Sequence, residues 1–136
     1  MPLVVWTDGM SVGVKAMDDD HRKLLDLVNE LSDGMVSGND RAALGEVLER
    51  LIQHTKEHLA REERLFAQVD YPQSKSHYVG HDLMIAKALG AQAAFRCGST
   101  SVPSEEIMAF LQEWLAHHTE GLDKDYGPYL NKHGIY

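Results

Sequence analysis

Two short strings in the chain carry donor side chains four residues apart: His58-Leu-Ala-Arg-Glu62 and His77-Tyr-Val-Gly-His81. On a helix that spacing places both side chains on one face, about one turn apart, within reach of a single metal ion. His21 and His118 stand on apolar stripes at similar helical spacing, and Asp123 follows His118 at the frayed end of its segment. Burying five imidazoles and two carboxylates is costly unless a partner uses their lone pairs, and a metal does so. The chain holds eight histidines but one cysteine, Cys97. A single cysteine excludes an internal disulfide framework, a CxxC redox pair and a Cys-rich zinc site.

The pattern also narrows the metal. The residues three before each histidine are Asp18, Leu51, Thr55, Ser74, Tyr78, Trp114, Leu115 and Leu130. None is Glu, so the repeated Glu-x-x-His of di-iron carboxylate bundles is absent. HExxH is absent too, which removes the commonest zinc-hydrolase helix. Five histidines exceed what one tetrahedral zinc takes, so two metals are the simpler count. Histidine with carboxylate suits iron, copper or zinc, not calcium or magnesium.

Four amphipathic segments must position these donors. Residues 1–17 read as an N-terminal arm with apolar surface to bury. A first helix, about 18–37, starts at the acids Asp18–Asp20, which suit capping and the macrodipole. Its stripe is His21, Leu24, Leu25, Val28, Leu31 and Met35. A second, about 40–68, is capped by Asn39 or Asp40 and carries Leu44, Leu51, Thr55, His58, Glu62 and Phe66 before Tyr71-Pro72 closes it. A third, about 74–96, carries His77, His81, Met84, Ala88 and Phe95. A fourth, about 104–121, carries Ile107, Leu111, Trp114, Leu115 and His118, followed by a short C-terminal tail with Tyr126 and Tyr129 closing the bundle end. The expected fold is all-α, an up-down-up-down four-helix bundle forming one domain over 1–136.

Composition removes other functions. The chain has 136 residues, with Lys+Arg 13 against Asp+Glu 21 and a formal net charge of −8. That leaves no basic footprint for nucleic acid or for an anionic membrane surface. No apolar run reaches the length of a membrane span, and no signal peptide is evident, so the expected location is cytoplasmic.

Val12-Gly-Val-Lys-Ala-Met-Asp-Asp-Asp-His21, His58-Leu-Ala-Arg-Glu62-Glu63, His77-x-x-x-His81 and Trp114-Leu-Ala-His-His118-Thr-Glu-Gly-Leu-Asp123 together resemble the hemerythrin family, its single-domain bacteriohemerythrins in particular. The resemblance covers essentially the whole chain, including the arm with Trp6. It implies two non-heme iron ions (Fe2+/Fe3+) with a bridging oxo or hydroxo group. His77, His81 and His118 would hold one iron, His21 and His58 the other, and Glu62 and Asp123 would bridge them. One coordination position then stays open, on the iron with two histidines, where O2 would bind.

A pocket for O2 has to exclude water. The expected walls are Leu24, Leu59, Trp114, Leu115 and Thr119, residues that also serve as plain core. Leu59 stands where the family usually has Phe and Thr119 where it usually has Ile, which changes the pocket. His54 lies one turn before His58 and reads as a structural neighbour of the site, with a His54-x-x-x-His58 ligand pair as the alternative. His118, not His117, shares the face of Leu111, Trp114 and Leu115. Asp123 lies five after His118, so the helix must loosen near Gly121, with Glu120 as the alternative bridge. Glu63 reads as a surface charge, His133 as a solvated tail residue and Cys97 as an unpaired thiol. The implied function is reversible O2 binding for storage, buffering or delivery, without catalytic residues and with an oxygen-consuming enzyme as candidate recipient. The expected assembly state is a monomer or weak oligomer. The alternatives are O2 or redox sensing through a partner, and a di-iron oxidase or peroxide-handling enzyme.

Overall fold

A computed structural model describes residues 5–38, 41–97, 109, 112–113 and 123–136. All regular structure among them is helical: a 3-10 turn Asp8–Met10, then α1 (Lys15–Val36), α2 (Arg41–Val69), α3 (Ser74–Arg96) and α4 (Asp123–Lys132). The segment expected to form a helix over 104–121 falls outside the described residues except at 109, 112 and 113. Asn39 and Asp40 fall outside as well.

The first helix begins earlier than its acids suggest. Gly13 takes the left-handed conformation (φ 81°), and Val14 is the N-cap, with no side-chain cap. Asp18 sits one turn inside and reaches back to the arm. Its carboxylate accepts the Val12 N–H at 2.8 Å and the Ser11 hydroxyl at 2.6 Å. The three acids therefore do not cap the helix; Asp18 clamps the arm onto it and Asp20 is buried in the core. At the end of α2, Asp70 turns the chain through the left-handed region (φ 50°), a conformation Asp tolerates better than most residues. Tyr71 N–H then bonds back to the Phe66 carbonyl at 3.1 Å.

Packing follows the predicted stripes. α2 lies between α1 and α3 and also touches α4. Two buried clusters form. One is mainly aliphatic, built on Leu24, Val28 and Leu31 of α1 and Leu44, Leu48 and Leu51 of α2, with Ala88 and Phe95 of α3. The other is rich in aromatics and joins Val12, Val14 and Met17 to Phe66, Tyr71, Tyr126 and Leu130. Each fully buried large apolar side chain of this kind contributes about 1.5–3 kcal/mol. On α1 and α2 the histidines fall between the two clusters, in the orders Met17, His21, Leu24 and Leu51, His58, Phe66, and on α3 His77 and His81 precede Ala88 of the aliphatic cluster.

The described part of the arm is held at two places, Trp6 and Val12–Gly13. Arg22 stacks its guanidinium 4.5 Å from the centre of the Trp6 ring. At the other end the arm presses on α4 so closely that a Cβ on Gly127 would overlap the Val12 carbonyl. Asn131 donates to the Gly13 carbonyl at 3.0 Å. No helix among the described residues is long and apolar enough to cross a membrane.

Candidate metal centre

Five donor residues converge in the buried layer between the clusters. His21, His58 and Glu62 form one group whose donor atoms lie within 4.8 Å of one another, and Glu62, His77 and His81 form a second. Glu62 belongs to both. All five are buried, with His21, His58 and Glu62 fully inaccessible.

The geometry assigns protons to nitrogens. His58 Nδ1 donates to Asp20 Oδ2 at 2.9 Å, which leaves its Nε2 lone pair facing inward. There it meets His21 Nε2 at 3.2 Å and Glu62 Oε2 at 3.4 Å. His81 repeats the pattern: Nδ1 donates to Glu63 Oε1 at 3.1 Å, and Nε2 lies 2.9 Å from Glu62 Oε1. His77 Nδ1 lies 3.3 Å from the same Glu62 oxygen. Lone pairs aimed at a buried carboxylate repel it unless positive charge lies between them. Two such sets around one shared carboxylate fit two cations, and imidazole with carboxylate is a transition-metal donor set.

Tyr126 of α4 donates its hydroxyl to Glu62 Oε2 at 3.2 Å, and its ring lies 5.8 Å from that of His77. Tyr126 thus does more than close the bundle end. Asp20 and Glu63 were also missed as contacts of the site. Asp20 looked like a helix cap. Glu63 read as a surface charge, yet its carboxylate holds His81. Burial raises the Asp20 carboxyl, but the hydrogen bonds and charges of His58 and Arg61 outweigh this and hold it below its ordinary value. His54 donates from Nε2 to the Asp20 carbonyl at 3.2 Å and belongs to neither donor group. The expected C-terminal tail is in fact helical over Asp123–Lys132, with Pro128 inside the helix, and His133 just beyond it has its Nδ1 2.9 Å from the Tyr129 carbonyl.

Leu24 and Leu59 are buried. His118, Trp114, Leu115 and Thr119, like His117 and Glu120, lie outside the described residues. α4 begins at Asp123, three residues before Tyr126.

A profile described as the hemerythrin HHE cation binding domain matches residues 12–130, nearly the whole chain. The chain belongs to the hemerythrin family. Among curated hemerythrins it is 31% identical over 133 residues to a bacteriohemerythrin of Stenotrophomonas maltophilia, covering 98% of this chain and 85% of that one. A bacteriohemerythrin of Methylococcus capsulatus is 32% identical over 134 residues, covering 96% and 99%. A hemerythrin-like protein of Naegleria gruberi is 33% identical over 121 residues, covering 89% and 88%. The crystal structure of a wild-type hemerythrin superposes with a TM-score of 0.87 at 31% identity, covering 94% of this chain and 98% of that one. A single-substitution variant of a hemerythrin gives 0.89 at 30% identity, covering 96% and 98%. The fold is therefore the all-α four-helix bundle of the hemerythrins.

Proposed function

We propose that the chain binds O2 reversibly at a di-iron centre and stores, buffers or delivers it. The observation that carries this reading is the sharing of buried Glu62 between two donor groups. In this reading His21 and His58 would hold one iron and His77, His81 and His118 the other, with Glu62, which belongs to both donor groups, and Asp123 as the carboxylates common to the two. When bound, the iron pair supplies the electrons with which O2 is taken up and given back.

The chain's own residues supply the rest. Asp20 and Glu63 hold the outward protons of His58 and His81, so the inward nitrogens present lone pairs. Tyr126 orients Glu62 from the far side. Buried Leu24 and Leu59 would supply dry surface for the two-histidine group, and Trp114, Leu115 and Thr119 are proposed as the rest of that wall. A dry wall keeps water and protons from the reduced pair, which favours release of O2 over oxidation. The cytoplasm is the compartment proposed for this carriage.

The test is an optical cycle. The purified, reduced protein is exposed to O2 and then argon while its visible spectrum is recorded. A spectrum that appears under O2 and disappears under argon supports carriage. No change, or continuous consumption of O2 or peroxide, excludes it.

A further inference from the structure

Asp20 stands one residue before His21 on α1, yet its side chain faces α2. It is buried, and it is fastened from three sides. His58 donates to Oδ2 at 2.9 Å, Arg61 forms an ion pair with Oδ1, and His54 donates to the main-chain carbonyl at 3.2 Å. His54, His58 and Arg61 lie on consecutive turns of α2, so one residue of α1 gathers a whole face of its neighbour. Asp20 is in neither donor group, although its carboxylate touches the ring of a donor.

This arrangement has a chemical consequence. An imidazole binds a metal through one nitrogen, and the hydrogen bond at the other decides which nitrogen that is. A bare buried carboxylate would be free to take a proton or pull the ring off line. Arg61, on the outer side with 39% of its side chain exposed, supplies the compensating charge. We infer that Asp20, clamped by Arg61, is the positioning residue for the His21–His58 half of the centre. It holds His58 as the Nδ1–H tautomer and aims Nε2 at the metal. This rests on the di-iron reading of the site, but it concerns the holding of metal and not the response to O2.

The experiment uses the full chain and the variants Asp20→Ala, Asp20→Asn and Arg61→Ala. Release of iron from the loaded protein to a ferrous chelator gives the first readout. Nitrogen-15 correlation spectra of the His58 ring, taken on the zinc-loaded chain, give the second. Asp20→Ala should release one of its irons about 10–100-fold faster, in line with loss of an outer partner of a metal-bound histidine. Asp20→Asn should recover most of the wild-type rate, because its amide oxygen still accepts the Nδ1–H. Arg61→Ala should fall between them. Wild-type His58 should show its proton on Nδ1. Wild-type release from Asp20→Ala, or a His58 proton on Nε2, overturns the assignment. Should Asp20→Ala not fold, Arg61→Ala decides: faster release supports the clamp and an unchanged rate overturns it. A wild-type chain that holds two irons but shows no reversible oxygen response would remove the proposed function and leave this result standing.

Discussion

His58 and His81 each turn one ring nitrogen toward Glu62 and the other toward a second carboxylate, but those second carboxylates live in different surroundings. Asp20, behind His58, is buried and paired with Arg61. Glu63, behind His81, is 39% exposed. The packing differs in the same sense. In the first half, His58 meets the ring of His21 edge-on at 4.7 Å. In the second half, His77 meets the rings of Phe66, Tyr71 and Tyr126. A buried, charge-compensated carboxylate has its rotamer and ionisation set by the fold. An exposed one shares its hydrogen bonds with water and is screened by salt. The comparison teaches that equal donor chemistry can be pre-organised to different degrees on the two sides of one shared ligand.

The largest effect should come from removing what the halves share. Glu62→Ala takes a donor from both groups, and iron per chain should drop to less than half the wild-type value. Retention of full iron would break the idea of a shared ligand. Next is the aliphatic wall. Leu24→Ala should lower unfolding stability by about 2–5 kcal/mol in a denaturant titration, the usual cost of a buried Leu cavity. Loss of less than about 1 kcal/mol would mean the site collapses around the gap.

Those two substitutions test features that the primary structure displays. The stripe of His21, His58, Glu62, His77 and His81 is legible because helical periodicity and residue type coincide at each position. Leu24 and Phe66 are legible for the same reason. The outer contacts are not. Asp20 beside His21 looks like a capping acid at a helix start, and Glu63 beside Glu62 looks like a solvated charge because chain neighbours on a helix point in different directions. Only the placement of α1 and α3 against α2 turns them toward His58 and His81. Asp18 misleads differently: acids near a helix start suit capping, but here one serves the arm that precedes the helix.

Smaller effects sharpen the contrast between the halves. Glu63→Ala should speed iron release by only about 2–5-fold, against the larger effect of an outer partner that is buried. Equal effects of Glu63→Ala and Asp20→Ala would erase the distinction. Tyr126→Phe removes one hydrogen bond to Glu62 and should cost about 1 kcal/mol of stability, read by thermal unfolding of the loaded protein.

The smallest effect lies on the surface, remote from both halves. The hydrogen bond from Arg50 holds the Glu30 carboxyl below its ordinary 4.5. A carboxyl lowered by folding adds stability above its unfolded value and loses it as pH falls through the lowered one. Glu30→Gln should therefore lower the melting temperature slightly at neutral pH. The difference should shrink below about pH 4 and in high salt. An unchanged difference at acid pH would contradict the assignment.

The central claim is that two metals share Glu62, and an anaerobic titration of the metal-free chain with ferrous iron tests it most directly. The expected end point is two irons per chain, one for each donor group, with loss of that end point in Glu62→Ala. An end point of one iron in the wild type, or two in the variant, would contradict it.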